Sequence, residues 1–157
     1  MEFAFNFFIS WLVVIIFAVM KKTLSLVENT FVYLLILIVS INWTWIIYEE
    51  MKLVELSKQP LDYTAFLINR SIAVPLVVVV AINVIRGVHS LGKRILTLLL
   101  SVALLVTLAV IGRFSGITEY TNWNFDYDTL YFLSLHIIAY LALKVFQRTK
   151  RSEAKDT

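Results

Sequence analysis

Residues 30–52 read TFVYLLILIVSINWTWIIYEEMK, and this stretch decides how the rest of the chain is interpreted. The apolar part, 30–48, is close to the roughly 20 residues that a helix needs to cross bilayer hydrocarbon, since each residue adds about 1.5 Å. Two tryptophans and a tyrosine cluster at its end, which is typical of the headgroup level. Glu49 and Glu50 follow directly. The stretch therefore predicts a transmembrane helix whose two glutamates mark its exit from the bilayer.

The composition of the whole chain also predicts a lipid environment. Of the 157 residues, 60% are hydrophobic and 16% are charged, and the mean hydropathy is +0.83. Soluble domains average about 45–50% apolar and about 25% charged residues. A soluble core of this size cannot bury the excess, so most of the chain is expected to lie in a membrane. The chain has no cysteine, which excludes disulfides and thiolate metal sites.

Five apolar segments approach the length of a crossing and predict an all-α, polytopic integral membrane bundle. The predicted helices are 3–20, 30–48, 63–85, 95–112 and 129–146. The connections are too short for a soluble domain, so residues 1–147 are expected to form one transmembrane domain, with a basic cytoplasmic tail at 148–157. In the first segment the lysines follow the apolar run and no cleavage site is present, which favours a retained helix over a secretory signal.

The distribution of charge predicts the orientation of this bundle. Ten of the fourteen basic residues share one side: Lys21, Lys22, Arg86, Lys93, Arg94, Lys144, Arg148, Lys150, Arg151 and Lys155. The other side has four basic residues and eight of the eleven acids: Glu2, Glu49, Glu50, Glu55, Asp62, Glu119, Asp126 and Asp128. Because cytoplasmic loops carry the excess of Lys and Arg, we expect the N-terminus outside and the C-terminus in the cytoplasm. Short loops without cysteine favour a cell membrane, specifically a bacterial inner membrane.

The third segment contains an arginine and a proline inside the predicted span. Pro75 removes a backbone hydrogen bond to Ser71 and predicts a helix kink. The released carbonyl needs another partner in lipid, so this helix is expected to pack against others there. An unpaired arginine in a span costs about 2.5–3.5 kcal/mol, and Glu49 or Glu50 is the predicted partner of Arg70.

His136 lies within the last apolar segment and has two interpretations. Ionisable groups within spans are functional hypotheses, and histidine titrates near neutral pH. In the first interpretation His136 belongs to a polar vestibule that opens to the outside and takes an ion or a small ligand. The vestibule comprises Glu49, Glu50, Arg70, Asp126, Asp128 and His136. In the second, a neutral imidazole is hydrogen-bonded to a Ser, Thr or Tyr of a neighbouring helix.

The pair Glu49-Glu50 and the later sequence Phe132-Leu-Ser-Leu-His136 form the patterns EE and FxxxH. This combination resembles two elements of the signature of CAAX-protease-like intramembrane metalloproteases. Val54 stands where that signature has an arginine. The third element, a histidine followed four residues later by asparagine, has no match here. The family also has more helices than this chain offers, so we do not predict a protease.

The sequence predicts a non-enzymatic accessory, assembly or signalling component of a membrane. Its expected partners are the lipid bilayer and either another membrane protein or further copies of the chain. The net charge of +3 is small, and we expect no nucleic-acid partner, no cofactor and no metal. The alternative is a small transporter or ion-conducting subunit that uses the polar vestibule and the kink at Pro75.

Reporter fusions test the predicted orientation. A reporter enzyme that is active only in the cytoplasm is expected to work after Asn29, Gly92 and Thr157, because the basic residues hold these positions inside. The same reporter is expected to be inactive after Pro60 and Asn122. Cytoplasmic activity at either of these two positions would contradict the five-crossing arrangement.

Overall fold

The structure, a computed structural model, describes residues 2–153, which form six α-helices and a small two-stranded sheet. The helices are α1 Glu2–Val19, α2 Leu26–Thr44, α3 Pro60–Ile68, α4 Val74–Gly87, α5 Leu91–Phe114 and α6 Phe125–Glu153. A π-helical turn at Trp45–Glu50 continues α2, and a second at Asn69–Ala73 joins α3 to α4. The all-α prediction is confirmed. Residues 154–157, with Lys155 of the predicted tail, lie outside the described residues.

Four helical segments of the described chain are long and apolar enough to cross a membrane. They are Leu26–Glu50, Pro60–Gly87, Leu91–Phe114 and Phe125–Ser152, and Phe3–Val19 is a shorter apolar helix. Large apolar side chains face outward on these helices; Trp11 is 55% exposed and Leu99 is 59% exposed. Such surfaces fit an integral membrane protein, because lipid rather than water is then in contact with them.

Four of the five predicted segments extend beyond their predicted ends, and for two of them the structure shows a local reason. α2 begins four residues before residue 30 because Ser25 and Glu28 form a capping box, in which each side chain accepts a hydrogen bond from the other's backbone amide. α6 continues to Glu153, so the first part of the predicted tail is helical. Its last turn carries Lys150 and Arg151, whose positive charge suits the carboxyl end of a helix.

The helices α2, α4, α5 and α6 surround one apolar core, and α1 packs against α3 and α4. At the centre, Ile36, Val78, Leu105 and Leu135 are at most 1% exposed. We call the end of the bundle with the two-stranded sheet the sheet end. There α2 and α5 end, and α3 and α6 begin. The opposite end, with the α1–α2 and α4–α5 connections, is called the basic end.

A buried asparagine joins three elements at the basic end. The side-chain oxygen of Asn83, on α4, accepts hydrogen bonds from the backbone amides of Thr23 and Leu24, each at 3.1 Å. Its amide nitrogen donates to Oδ1 of Asn29 on α2 at 2.6 Å and to the Val79 carbonyl at 2.9 Å. Asn83 is fully buried, and these bonds satisfy its polar atoms. The connection between α1 and α2 is therefore held against α4.

The two connections at the sheet end contain short strands that the sequence analysis did not predict. β1, Val54–Leu56, pairs antiparallel with β2, Thr118–Tyr120. Gly116 has a φ of +70°, which ends α5 and directs the chain into β2. Strands of three residues are too short for an alternating pattern to be recognised. The ladder fastens the connection after α2 to the connection after α5.

Loss of the Asn83 side chain is expected to destabilise the bundle. Asn83→Ala leaves the amides of Thr23 and Leu24 and Oδ1 of Asn29 without their partner. The free energy of unfolding in detergent should therefore fall by about 1–3 kcal/mol. Chemical denaturation followed by circular dichroism measures this change.

The matched control is Asn42→Ala. Asn42 is exposed, and its amide donates only to a carbonyl of its own helix, at 2.8 Å. We expect this variant to change the free energy of unfolding by no more than about 0.5 kcal/mol. Equal losses in the two variants would contradict the role assigned to Asn83.

Candidate functional site

A cavity of about 100 Å³, with both apolar and polar side chains in its wall, lies at the sheet end, between the two π-helical turns, α5 and the start of α6. Its charged and polar wall includes Tyr48, Asn69, Arg70, Tyr120, Trp123 and Asp128. The apolar side chains of Val74, Leu105 and Leu108 form the side toward the core. A buried water needs about 10–15 Å³, so the cavity has room for several waters or for one small polar group. We call it the sheet-end cavity.

Asp128, in the first turn of α6, has a donor on each carboxylate oxygen. The Tyr120 hydroxyl donates to Oδ2 at 2.5 Å, and the Trp123 ring nitrogen donates to Oδ1 at 2.8 Å. Asp128 is only 8% exposed, and a buried carboxylate needs such donors to offset its lost hydration. The strand β2 supplies the tyrosine, so strand pairing determines the surroundings of this carboxylate.

Arg113, at the end of α5, covers the outer side of this network. Its guanidinium lies 4.7 Å from the centre of the Tyr120 ring and 5.1 Å from that of Phe125, as in a cation–π contact. Burial raises the pKa of Tyr120 well above its ordinary value, and the bond to Asp128 raises it further. The phenol therefore stays protonated and remains a donor to Asp128.

Arg70 lies in the second π-helical turn, on the other side of the cavity. Its guanidinium is 5.6 Å from the centre of the Phe66 ring. The Nε atom is buried and has no hydrogen-bond partner among the described residues. The neighbouring Asn69 donates to Oδ1 of Asn6 at 3.4 Å, whereas its own Oδ1 is buried without a partner. This side of the cavity therefore presents a cation and an amide whose hydrogen-bonding capacity is not used up.

The proline that follows this turn is accommodated by a neighbouring helix. Pro75 cannot donate to the carbonyl of Ser71, and this oxygen instead accepts a hydrogen bond from the Tyr33 hydroxyl of α2 at 2.9 Å. The interruption takes the form of the π-helical turn Asn69–Ala73. Proline, arginine and the cavity thus occur at one place in the fold.

The structure brings two of the six vestibule residues together. Arg70 and Asp128 both face the sheet-end cavity. Glu49, Glu50 and Asp126 are exposed on the surface of the sheet end, and none of them lines the cavity. The Glu50 carboxylate accepts a hydrogen bond from the ring nitrogen of Trp45, at 3.1 Å. The acids that the sequence placed nearest to Arg70 therefore face outward.

His136 lies deeper, within the contact between α5 and α6. Its Nε2 is 2.8 Å from the Ser101 hydroxyl of α5, and its Nδ1 is 2.7 Å from the Phe132 carbonyl. A carbonyl only accepts, so Nδ1 carries a proton. The side chain is 2% exposed. Among the described residues, no three His, Cys, Asp or Glu side chains are placed to hold a metal ion.

The sequence analysis missed the residues that surround Asp128. Tyr120 and Trp123 belong to the aromatic and acidic stretch between the last two helices, and nothing in that stretch distinguishes a buried donor from an interfacial side chain. Tyr120 is turned inward only because β2 pairs with β1, more than sixty residues earlier. Arg70 was found because ionisable residues in spans are functional hypotheses, and Asp128 was included as an acid just before the last predicted span.

Comparison with known proteins adds no relative. No protein-family model matches the chain, no curated protein matches it, and no solved structure matches it.

The partly buried, hydrogen-bonded state of Tyr120 has a consequence at alkaline pH. An ordinary tyrosine ionises near pH 10, whereas Tyr120 stays neutral there because its pKa is raised. In the folded protein, the ultraviolet absorbance change near pH 10 is therefore expected to be the same with and without Tyr120→Phe. The neutral phenol stabilises the fold below about pH 10, and this stability is lost as the pH rises further.

The denatured chain provides the control for this titration. The original chain has seven tyrosines and the variant has one fewer, so the denatured variant should lose one seventh of the amplitude. The same loss in the folded variant would contradict the buried, hydrogen-bonded placement of Tyr120.

Proposed function

We propose that this chain is a non-enzymatic membrane component, which holds a small polar ligand in the sheet-end cavity and acts through a partner protein in the same membrane. The observation that carries the proposal is that Arg70 and Asp128 line one cavity of an apolar bundle. Charged residues are costly in such surroundings and mark ligand or ion sites there.

The contacts of the acid–base groups favour binding over chemistry. Both oxygens of Asp128 accept hydrogen bonds from fixed donors, and both ring nitrogens of His136 have partners within the bundle. A general acid or base must exchange its proton with a substrate within hydrogen-bond reach. These two groups are instead engaged with the protein, so they support a shaped and preorganised site.

We further propose five crossings, with the N-terminus outside and the C-terminus in the cytoplasm of a bacterial cell. α1 has 18 residues and is about 27 Å long, near the roughly 30 Å of bilayer hydrocarbon. The helix places Asn6 beside the cavity. The connection that follows the helix contains Thr23, which is hydrogen-bonded to Asn83 at the basic end. The excess of Lys and Arg at the basic end supports the orientation.

A second candidate function is a small transporter or ion-conducting subunit. The observation that favours it is the position of both π-helical turns, Trp45–Glu50 and Asn69–Ala73, beside the cavity. Interrupted helices in membranes commonly border ion and substrate sites. Beyond the cavity, however, Ile36, Val78 and Leu105 fill the core, and this packing favours a binding site over a conducting path.

Purification in a mild detergent tests the proposal. We expect the tagged chain to retain a specific partner protein in a fixed stoichiometry, together with a small molecule detected by native mass spectrometry. Gly112→Leu should lower retention of the small molecule, because Gly112 lines the cavity and the added side chain fills it. An added Cβ there meets only the Thr118 hydroxyl, at 3.8 Å, so the helix itself tolerates the change.

The matched control is Gly92→Leu, at an exposed position of the basic end where an added Cβ meets only Ser90 at 3.9 Å. This variant should retain the same molecules as the original chain. A homo-oligomer that carries no partner and passes ions in liposomes would contradict the proposed function and favour the second candidate.

A further inference from the structure

We propose that the ligand of the sheet-end cavity is anionic, with a carboxylate or phosphate group that pairs with the guanidinium of Arg70. This inference rests on the proposed function, because it names the chemical class that the cavity takes.

The negative charge of Asp128 is already engaged. Tyr120 and Trp123 donate to its two oxygens, and Arg113 lies over the Tyr120 ring on the outer side. This part of the wall therefore has a cation close to its carboxylate. Arg70 lines the same cavity, and its Nε has no hydrogen-bond partner among the described residues.

The exposed acids do not neutralise Arg70 within the cavity. Glu49 and Glu50 face outward, and the carboxylate of Glu50 accepts from Trp45. The Arg70 guanidinium lies 5.6 Å from the centre of the Phe66 ring. An aromatic ring covers one face of a guanidinium and leaves its hydrogen-bonding edge available.

The edge of the guanidinium determines which ligand fits. Arg70 lines the cavity, and its planar guanidinium carries N–H donors in parallel pairs. Carboxylate and phosphate oxygens match this spacing and form bidentate, charge-assisted bonds. A cationic ligand would meet the like charge of Arg70 and an Asp128 whose oxygens already have donors. The geometry therefore selects an anion.

Depth and volume limit the source of the anion. Arg70 is ten residues into the helical segment that begins at Pro60, which corresponds to about 15 Å at α-helical rise. The cavity of about 100 Å³ accepts a small acid or the head of a lipid, and it is too small for a large cofactor. A free anion and an anionic lipid headgroup share this chemistry, so the experiment must separate them.

Tryptophan fluorescence provides a direct measurement. Trp43, which is 38% exposed, and Trp123 line the cavity, whereas Trp11 and Trp45 are on the surface and do not line it. A background with Trp11→Phe and Trp45→Phe therefore confines the signal to the cavity. The soluble probes are inorganic phosphate and acetate, added to the protein in a neutral detergent. The lipid probe is phosphatidylglycerol in nanodiscs of phosphatidylcholine.

We expect a saturable change in tryptophan emission as the probe is added. The apparent affinity should be at least about tenfold weaker for the Arg70→Gln variant than for its background. Arg70→Lys keeps the positive charge without the two-donor edge. Its apparent affinity should therefore lie between that of the background and that of the Arg70→Gln variant. Lys58→Gln removes an exposed positive charge from the same end and should bind as the background does. A response to phosphate or acetate indicates a free anion, and a response to phosphatidylglycerol alone indicates a headgroup; both support the proposal.

The stability of the unliganded variant supplies a second readout. If Arg70 awaits a ligand, Arg70→Gln removes an unpaired charge and should maintain or raise the unfolding temperature in detergent. If Arg70 had a structural ion pair, the same change would lower that temperature or prevent folding. A lowered unfolding temperature or a failure to fold would overturn the proposal.

Two further results would overturn it. One is equal affinity of the Arg70→Gln variant and its background for every probe, and the other is no response to any probe. A small molecule that is lost in Gly112→Leu but retained in Arg70→Gln would refute the anion while leaving the proposed function intact. The absence of any cavity-dependent molecule and of any partner would refute the proposed function itself.

Discussion

The structure depends on one constraint, which is that polar groups inside an apolar bundle must find their partners within the protein. Lipid offers no hydrogen bonds, and each unsatisfied group is costly there. Asn83 satisfies this constraint at the basic end by joining α4 to the α1–α2 connection and to Asn29. Tyr33 satisfies it at the carbonyl that Pro75 leaves without a donor. These bonds fix which helices pack side by side and limit the displacement of one helix along another.

The same constraint explains why the two ends of the bundle differ. At the basic end the buried amides form a closed network. At the sheet end Asp128 is satisfied by Tyr120 and Trp123, whereas Nε of Arg70 and Oδ1 of Asn69 are buried without partners. Unused hydrogen-bonding capacity beside a cavity is what a binding site requires before its ligand arrives. The hydroxyls of Ser10 and Ser40 are also buried without a partner among the described residues, so the functional proposal rests on Arg70 and Asp128 lining one cavity.

Much of the helical arrangement was predictable from the sequence, because membrane-spanning length is a property of consecutive residues. The ends of the helices were less predictable, since the capping box of Ser25 and Glu28 and the charged last turn of α6 are local features that lengthen a helix beyond its apolar run. Arg70 was identified as an ionisable residue inside a predicted span, and Asp128 as one of the acids at the outer end of the last segment. Their surroundings could not be predicted. The expected contact of Arg70 with Glu49 or Glu50 depends on the direction of side chains in a π-helical turn.

By itself, the sequence determined the class of the protein: an all-α chain, too apolar for a soluble core, with basic residues concentrated on one side. The reason is that hydrophobicity, helix length and charge are additive along the chain and need no knowledge of contacts. Only the tertiary structure decided which polar residues meet. Tyr120 reaches Asp128 because two three-residue strands pair across more than sixty residues, and His136 meets Ser101 because α5 and α6 pack at that depth. Such meetings depend on distances between remote segments, which no local pattern encodes.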